Sequence, residues 1–478
     1  MYAVIDIGSN SVRLVLYELS GHHAQQCFNE KTACALGASL VNQSTLDETA
    51  KDRVRDTIRR FAEIIRFHQP QHVLAIATAA MRESDDGAAF AEELSDILGH
   101  QIRIISGMDE ARYSGLGVIS SSYKPHGISA DLGGGSLDIA RVTPEGATGV
   151  SSLATGTLGF IALRDKSGIA AIEQHVDAHC QHHKSALACD MIYAVGGSFR
   201  AIAMHDMYLR NHPLRVVHDY VMNATMLDAL YASMMVKASQ PNIFFSGAPR
   251  KRQESMIPAL VALRALMHVC GAAEVTFSSA GVREGVLHDT LRDELTYDPL
   301  LAMIEAMPES RADTAYRAAL SDWIYDALPQ EYHDRRIIDA FTMVSEMATM
   351  VHPEQRAYMA YERMLATMAY GVTHAQQALL ALACYHRYKT RIAPDCNEVR
   401  LLSEYELYYA RLLGQLARLA HNLSAGNAHY LRQFTLDCAQ DEVTVKSQGG
   451  VAMIFPADVK KACDGLGETM RALSSIRK

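Results

Sequence analysis

Two short stretches of this sequence carry residue types that bind phosphate, and the second stretch repeats the first. The segments that align without a gap are Asp6-Ile7-Gly8-Ser9-Asn10-Ser11-Val12-Arg13-Leu14 and Asp131-Leu132-Gly133-Gly134-Gly135-Ser136-Leu137-Asp138-Ile139. Each follows an apolar run, turns through Gly, Ser or Asn, and continues into a second run of β-type residues. Glycine and asparagine allow positive φ at a tight turn, so that N–H groups and hydroxyls can approach an anion. The pattern predicts two strand–turn–strand phosphate loops.

The aspartate before each turn indicates a cation beside the phosphate. A carboxylate repels phosphate, whereas its oxygens are good ligands for a hydrated divalent ion. We therefore expect Asp6 and Asp131 each to hold a hydrated divalent cation, Mg²⁺ (or Mn²⁺), beside the phosphate. The alternative is an ordinary hairpin whose aspartate caps a backbone N–H. Two copies with Asp, Gly and Ser at the same offsets argue against that alternative.

The composition is typical of a soluble globular protein with more than one domain. The chain has 478 residues, 49% hydrophobic and 21% charged, which is too long for one core. Its net charge of -9 argues against a general nucleic-acid binder, which needs a basic face. The cysteines are scattered without a C-x-x-C pair, so neither a zinc site nor a disulfide framework is predicted. We find no leader and no apolar run of membrane-spanning length, and expect a cytoplasmic protein without a membrane partner.

The hydrophobic pattern places each loop at the start of an α/β domain. The first loop is followed by predicted helices at 46–67 and 87–98 and by predicted strands at 72–77 and 101–105, with another helix after residue 106. The second loop is followed by a helical region at 170–187, a strand at 191–195, a long helical insertion at 218–270 and a strand at 274–278. The predicted order repeats the same plan twice.

From about residue 308 the pattern becomes helical, with Ala, Met, Leu and Tyr at helical spacing. Helices are predicted at 335–351, 354–370, 375–388 and 398–419, then a hairpin at 432–435 and 442–445 and a last helix at 456–477. The predicted domains are an α/β lobe at 1–122, a second α/β lobe at 123–300, a helical domain at 301–425 and a small α+β segment at 426–478.

Several motifs together resemble one family of phosphatases. They are Ile5 to Leu14, Ala77-Thr78-Ala79-Ala80-Met81-Arg82, Ile105-Ser106-Gly107-Met108-Asp109-Glu110-Ala111-Arg112, Asp131 to Ser136, and Gly281-Val282-Arg283-Glu284-Gly285-Val286-Leu287. In this order they resemble the exopolyphosphatase and guanosine pentaphosphate phosphatase (Ppx/GppA) family over the first 300 residues. The resemblance implies two duplicated actin-like (ribonuclease H-like) lobes with phosphates bound between them.

The helical remainder resembles the HD-phosphohydrolase-like domain of the longer family members, with one departure. The helix that should carry the His-Asp pair reads Ser345-Glu346-Met347, and the dipeptide His333-Asp334 precedes it in a polar stretch. We interpret His333-Asp334 as a surface pair. The domain is therefore predicted to lack the HD metal ligands and to serve binding and dimerisation, and the resemblance implies a homodimer.

The resemblance also assigns roles in the cleft. Glu110 matches the family's catalytic glutamate and is predicted to be the general base and a metal ligand with Asp6 and Asp131. Without the resemblance, Glu110 would be an acid complementing a helix dipole. The predicted phosphate-binding residues are Gly8, Ser9, Asn10, Ser11, Arg82, Gly133, Gly134, Gly135 and Ser136.

Other residues near these motifs receive structural or provisional roles. Asp109 is expected to cap its helix, and Arg283 and Glu284 are interpreted as structural first, because Gly281 and Gly285 imply close backbone packing. Gly196-Gly197-Ser198 is interpreted as a tight turn rather than a nucleotide contact. The stretches 250–252 and 387–391 are candidate basic tracks for a polyanion.

These observations favour an exopolyphosphatase that processively hydrolyses the terminal phosphate of inorganic polyphosphate with Mg²⁺. The first alternative is cleavage of the 5′ γ-phosphate of guanosine pentaphosphate, with guanosine tetraphosphate as a related ligand. A sugar or acid kinase of the same superfamily needs an acceptor site and should exclude water, and the Glu110 motif belongs to the hydrolases. A non-catalytic sensor is the remaining alternative, and it does not need intact Asp6, Asp131 and Glu110.

Overall fold

A computed structural model describes residues 1–238, 244–291, 298–307, 314–367, 369–391, 396–439, 442–447 and 457–476. The chain forms two compact units, Met1–Pro299 and Leu300–Lys478. None of the helices in the described ranges is both long enough and apolar enough to cross a membrane.

The first unit begins with a mixed sheet built on the first loop. Its strands are β1 (Tyr2–Ile7), β2 (Ser11–Ser20), β3 (His23–Ala33), β4 (His72–Ala77) and β5 (Ile102–Ile104), in the spatial order β3-β2-β1-β4-β5. The helices of this part are α1 (Glu48–His68), α2 (Ala79–Glu83), α3 (Gly87–Leu98) and α4 (Gly107–Ile119). β1 and β4 are parallel, so a crossover must join them, and the amphipathic α1 lies within it. Asp47 caps α1, and Ile58 and Phe61 bury their side chains in the core.

The second loop starts another mixed sheet in the same unit. Its strands are β6 (Gly127–Leu132), β7 (Leu137–Thr143), β8 (Gly146–Leu153), β9 (Met191–Val195), β10 (Tyr220–Asn223) and β11 (Glu274–Phe277), in the order β10-β11-β9-β6-β7-β8. The helices are α5 (Thr157–Ser167), α6 (Ala170–Gln181), α7 (Lys184–Leu187), α8 (Gly197–Leu209), α9 (Ala224–Ala238), α10 (Gln253–Cys270) and α11 (Val282–Leu291). β8-β7-β6-β9 repeats β3-β2-β1-β4 in order and in strand direction. The predicted α/β fold with duplicated actin-like lobes is confirmed.

Two helices tie the two sheets together. α4 follows the first sheet but packs on β6, β7 and β8 of the second, and α11 packs on both α4 and β1. The backbones of α4 and α11 approach so closely that a Cβ on Gly285 would lie 1.7 Å from the carbonyl oxygen of Tyr113. The packing role predicted for Gly285 is confirmed. Because α4 begins beside the second sheet, its first turn is placed next to the second loop.

The second unit is mostly helical. Its elements are α12 (Pro299–Ala306), α13 (Thr314–Ala327), α14 (Arg335–Val344), α15 (Arg356–Ala366), α16 (His374–His386), α17 (Glu404–Ser424), α18 (Ala428–Leu431), β12 (Phe434–Ala439), β13 (Glu442–Ser447) and α19 (Ala457–Ile476). Capping boxes at Thr373 and Ser403 start α16 and α17. The predicted helical region with a terminal hairpin and helix is confirmed.

Some predicted element boundaries were wrong. The polar strand β3 was not predicted, because its side chains are exposed or only partly buried and it has no continuous apolar run. The predicted insertion at 218–270 contains the strand β10, and α14 ends seven residues earlier than predicted. α17 begins only after the short 3₁₀ helix Asn397–Leu401. Residues 239–243 of the insertion and residues 308, 368, 456 and 477 of the predicted helical part lie outside the described residues.

Candidate functional site

The two loops have the same local geometry. In the first, the amide of Gly8 donates to the carbonyl of Ser11 at 3.1 Å; in the second, the amide of Gly133 donates to the carbonyl of Ser136 at 3.0 Å. Each therefore closes a two-residue turn between antiparallel strands. The residue opposite each aspartate differs: Asp6 pairs in register with Arg13, whereas the equivalent aspartate pairs with a second carboxylate, that of Asp138.

The loops are held by their carbonyl groups, which leaves their amides available. The carbonyl oxygens accept hydrogen bonds from the amides behind them, which are those of Cys34, Ala35 and Gly37 for the first loop and Thr157 and Leu158 for the second. The N–H groups of Ser9, Asn10, Gly134 and Gly135 donate to no other residue in the part of the chain that is described. Free amides at a tight turn form a pre-organised anion site.

The glycines of these loops do not adopt positive φ, contrary to the prediction. Gly134 and Gly135 are required by close approach instead. A Cβ on Gly134 would lie 3.0 Å from the Cβ of Ser9 in the other loop, and one on Gly135 would lie 2.9 Å from the Cβ of Ala79. The absence of side chains therefore brings the two loops together.

Both loops line one cleft within the first unit. The predicted site residues that line it are Asp6, Gly8, Ser9, Asn10, Ser11, Glu110, Asp131, Gly133, Gly134, Gly135 and Ser136. Arg82 is not among the lining residues. Its guanidinium contacts the carboxylate of Glu110 at 2.9 Å, that of Glu83 at 2.9 Å and the carbonyl of Ile105 at 3.1 Å. Its predicted role as a phosphate ligand stays a prediction.

One wall of the cleft is basic. Its cationic side chains are those of Arg13, Lys31, Arg200, Arg252 and Arg283. Partial desolvation in the cleft, together with the charges of Arg252 and Arg13, lowers the pKa of Lys31 to about 8. In the described ranges, neither Lys31 nor Arg252 forms a salt bridge, and the buried Nη1 atom of Arg283 has no hydrogen-bond partner. Like charges held close together repel one another, and a polyanion would relieve that repulsion.

The opposite wall carries the acids. Glu110 lies in the first turn of α4, is only 8% exposed and accepts a hydrogen bond from Arg82. Burial and the neighbouring charge of Asp138 raise the pKa of Glu110 well above its usual value, and Arg82 opposes the shift. Asp138 is itself buried and accepts hydrogen bonds from the hydroxyls of Ser136 and Ser152, both at 2.5 Å. A carboxylate with a raised pKa next to a polar cleft suits proton transfer.

Asp6 and Asp131 lie between the two walls. Burial raises the pKa of both, and the charge of Asp138 contributes to raising that of Asp131 to about 7. Asp6 also lies 3.9 Å from the guanidinium of Arg283. A divalent cation would offset this burial of charge, so the donor set suits Mg²⁺. Among the described residues, no three His, Cys, Asp or Glu side chains are grouped to hold a metal by themselves. Phosphate oxygens and water would have to complete its shell.

The motifs around the cleft include one wrong prediction. The cap of α4 is Ser106, whose hydroxyl accepts from the amide of Asp109, so the predicted cap at Asp109 is wrong. Glu284 accepts from the hydroxyl of Tyr17 and from the amide of Gly281, which is the structural role expected of it. Arg283, in contrast, also lines the cleft.

Gly196 adopts a φ of +111°, and a Cβ there would lie 2.5 Å from the carbonyl of Leu132. This fits the predicted tight turn, although Gly196 and Gly197 also line the cleft. His333, predicted at the surface, is partly buried and contacts the carbonyl of Leu328, and Asp334 caps α14.

Sequence analysis missed most of the basic wall. Lys31 and Arg200 lie outside every motif, and only tertiary structure brings them to the loops. Arg13 and Asp138 occupy the same position of the two aligned segments. Their opposite charges were a signal in the sequence that the two loops have different surroundings. Of the two predicted basic tracks, 250–252 supplies Arg252 to the cleft. Arg387, in the other, is buried and paired with Glu346 at 2.9 Å, so it is not an exposed track residue.

Comparison with known proteins agrees with this geometry. The model of the Ppx/GppA phosphatase family matches residues 15–294. A guanosine-5′-triphosphate,3′-diphosphate pyrophosphatase from Aliivibrio fischeri is 25% identical over 362 residues, covering 74% of this chain and 72% of that protein. A protein of the same name from Photobacterium profundum is 23% identical over 443 residues, covering 88% of this chain and 87% of its own.

Solved structures show the same fold. An exopolyphosphatase from Cytophaga hutchinsonii superposes with a TM-score of 0.55 at 19% identity, covering 62% of this chain and 99% of that one. A Ppx/GppA family member from Aquifex aeolicus gives a TM-score of 0.53 at 20% identity, covering 62% and 99%. At these identities the likeness concerns the fold.

Proposed function

The chain belongs to the Ppx/GppA phosphatase family, a family of hydrolases acting on phosphoanhydride bonds, and we propose that it is an exopolyphosphatase. In this proposal it removes the terminal phosphate of inorganic polyphosphate processively, releasing orthophosphate. One observation carries the proposal: free loop amides and a group of cations, of which Lys31 and Arg252 form no salt bridge in the described ranges, face a buried glutamate across one cleft.

The loops would position the phosphate that is removed. Amides of Ser9, Asn10, Gly134 and Gly135 donate to its oxygens, and their fixed carbonyls mean that little reorganisation is needed. Phosphoryl transfer depends mainly on such positioning and on neutralising charge. Mg²⁺ held by Asp6 and Asp131 would supply further neutralisation of the phosphoryl oxygens.

Glu110 would activate the water. Its carboxylate removes a proton as the water oxygen attacks phosphorus, and the P–O bond to the rest of the chain breaks with its electron pair leaving on the bridging oxygen. The proton then passes to solvent or to the leaving phosphate. The raised pKa of Glu110 makes it a stronger base than an ordinary carboxylate, and Arg82 holds its orientation.

The basic wall favours a substrate with several phosphates. One transferred phosphate occupies the loops, and Lys31 and Arg252 lie elsewhere along the same cleft. Such cations can bind the next phosphates of a linear chain. Guanosine pentaphosphate is the second candidate, because the sequence relatives from Aliivibrio fischeri and Photobacterium profundum carry names for that activity.

The direct test is orthophosphate release from long polyphosphate, tripolyphosphate, guanosine pentaphosphate and ATP, each with Mg²⁺, Mn²⁺ or EDTA. We expect the largest kcat/KM with long polyphosphate, and loss of activity with EDTA. A larger kcat/KM with guanosine pentaphosphate would replace the first candidate by the second. Transfer of phosphate to a sugar or acid acceptor, without release to water, would make the chain a kinase.

The variant Glu110→Gln tests the catalytic role. We expect kcat to fall about 10³-fold, with polyphosphate binding retained, because only the proton acceptor is removed. Asp109→Asn is the matched control, since it alters an exposed carboxylate one residue away. Full activity in Glu110→Gln would contradict the assignment, and binding without hydrolysis by the parent protein would indicate a sensor.

The homodimer and the cytoplasmic location are also proposals. Light scattering coupled to size-exclusion chromatography should give about twice the mass of the 52.6 kDa chain if the dimer forms. A mass equal to one chain at micromolar concentration would reject the dimer.

A further inference from the structure

A second cavity lies in the first unit, at the opposite end of the helix that borders the cleft. Gly197, at the start of α8, lines the substrate cleft, whereas residues of its last two turns line the cavity. The cavity encloses about 550 Å³ and is lined by Met204, Met207, Tyr208, Leu209, Asn211, His212, Arg215, Val217 and Gly247. This volume is in the range of small-molecule sites.

The cavity lining combines an apolar surface with one cation. Met204, Tyr208 and Leu209 expose 37%, 59% and 46% of their surface, which is unusual for neighbouring large apolar side chains. Arg215 lies among them, is exposed, and forms no salt bridge with any residue of the described ranges. The substrate cleft, in contrast, is lined by charges and glycines.

The cavity walls are fixed by bonds that do not involve the exposed side chains. The segment carrying Gly247 is held to α8 by His205, which hydrogen-bonds the carbonyl of Ser246 at 2.7 Å. Gln253 makes hydrogen bonds of 2.7 to 3.1 Å to the backbone of Phe245 and Ala248 in the same segment. A rigid wall lowers the entropy cost of binding.

Gly247 shapes the floor of the cavity. Its φ is +82°, and a Cβ there would lie 2.6 Å from the Cβ of Tyr208. A residue with a side chain would be strained at this φ and would push Tyr208 away. The segment therefore approaches α8 as closely as its backbone allows, and the space that remains lies beside Tyr208, Met204 and Met207.

From this geometry we propose that the cavity binds a small amphipathic anion: an aromatic or other flat apolar body lies against Met204, Met207, Tyr208 and Leu209, and its acidic group pairs with Arg215. Methionine thioethers adapt to flat apolar groups and make favourable contacts with aromatic rings. The guanidinium of Arg215 supplies a charge-assisted hydrogen bond to a sulfonate, carboxylate or phosphate. The site is separate from the substrate cleft and does not depend on the reaction proposed for it.

The test uses 1-anilinonaphthalene-8-sulfonate, an aromatic monoanion, titrated into the full-length folded protein and followed by its fluorescence. We expect saturable binding of one probe per chain. Arg215→Gln should weaken it about fivefold, as expected for one partly exposed charged hydrogen bond. Tyr208→Ser, which removes an exposed part of the apolar wall, should weaken it as well.

Matched controls separate this site from general surface binding. Arg103→Gln and Phe67→Ser remove an exposed arginine and an exposed phenylalanine of the first lobe, and both should leave the binding unchanged. Tripolyphosphate with Mg²⁺ should not displace the probe, because it would occupy the other cleft. Equal weakening in the controls, or displacement by tripolyphosphate, would overturn the proposal.

A second measurement locates the probe. In protein labelled with ¹³C at the methionine methyl groups, the signals of Met204 and Met207, assigned with Met204→Leu and Met207→Leu, should shift when the probe binds. The signal of Met81, buried in the first lobe, should stay in place. Unchanged Met204 and Met207 signals at saturating probe would also overturn the proposal.

Discussion

The two phosphate loops have the same backbone and opposite charges beside it. Each follows a buried strand whose last residue but one is an aspartate, closes a turn with the same hydrogen bond and returns in an antiparallel strand. Across from Asp6 stands Arg13, and across from Asp131 stands Asp138. The comparison shows that duplication supplies the anion-binding turn twice. The charge at one position of the returning strand, Arg13 or Asp138, distinguishes the two copies.

The surroundings follow the same division. Next to the first loop, Lys31 and Arg283 extend the positive charge of Arg13, so this side is suited to hold phosphate. Next to the second loop, Asp138 lies close enough to Glu110 to raise its pKa, so this side is suited to move a proton. The site therefore combines one binding wall and one reacting wall on a symmetric scaffold.

Replacing Arg13 by aspartate, the residue at the equivalent position of the second copy, should have the largest effect on substrate affinity. In Arg13→Asp a cation is lost and an anion is added, and we expect the KM for tripolyphosphate to rise about 100-fold, equivalent to about 2.7 kcal/mol, with kcat within threefold of the parent. Steady-state kinetics measures both constants. Arg103→Asp, at the exposed position of strand β5, is the control and should change neither. A collapse of kcat at unchanged KM would instead place Arg13 in the chemical step.

Removing the charge of the second loop should change pH dependence rather than affinity. Activity requires deprotonated Glu110, so the rate rises as pH passes its pKa, and Asp138 raises that pKa. In Asp138→Asn the acidic limb of the kcat profile should therefore move to lower pH by roughly one unit. The plateau rate should fall about tenfold, because the base becomes weaker. A limb that stays in place would show that Asp138 does not tune Glu110, and Asp109→Asn should leave the limb unchanged.

The basic wall makes a smaller prediction at alkaline pH. Lys31 has a pKa of about 8, so it is charged below that pH and neutral above it. We expect kcat/KM, which reports the free enzyme, to decrease up to about fivefold between pH 7 and 9.5. Lys31→Arg should remove most of this decrease, because a guanidinium stays charged. An identical decrease in the variant would assign the alkaline limb to another group.

The sequence was informative where the signal was local. β4, α3 and β9 were predicted at their observed bounds, because each is an apolar run or amphipathic stretch bordered by turn residues. β3 was missed because its polar residues face solvent and its pairing with β2 is a tertiary event. Glu110 was predicted from a motif, whereas its burial next to Asp138 and Arg82 was not predicted.

Most of the basic wall could not be predicted from local pattern. Arg252 belonged to a predicted basic track, whereas Lys31 and Arg200 lie on a strand and a helix far apart in the chain, and each is an ordinary exposed-type residue in its own segment. Their convergence depends on how both sheets are arranged around the loops. The reason for Gly134 and Gly135 was also non-local, since contact with Ser9 and Ala79, rather than backbone conformation, excludes a side chain there.

The contact between Gly134 and Ser9 gives the smallest predicted effect, and it tests whether the two loops are equivalent. At Gly134 a methyl group would meet the Cβ of Ser9 at 3.0 Å, whereas at Gly133 the nearest atom would lie at 3.6 Å. Gly134→Ala should therefore lower the free energy of unfolding by about 1 kcal/mol and raise KM about twofold, since the neighbouring loop must shift by tenths of an ångström. Gly133→Ala, the matched control, should change both quantities less. Urea unfolding and steady-state kinetics on the pair measure the difference. If Gly133→Ala were the more damaging change, close approach would not explain why the second loop carries glycine where the first carries Ser9.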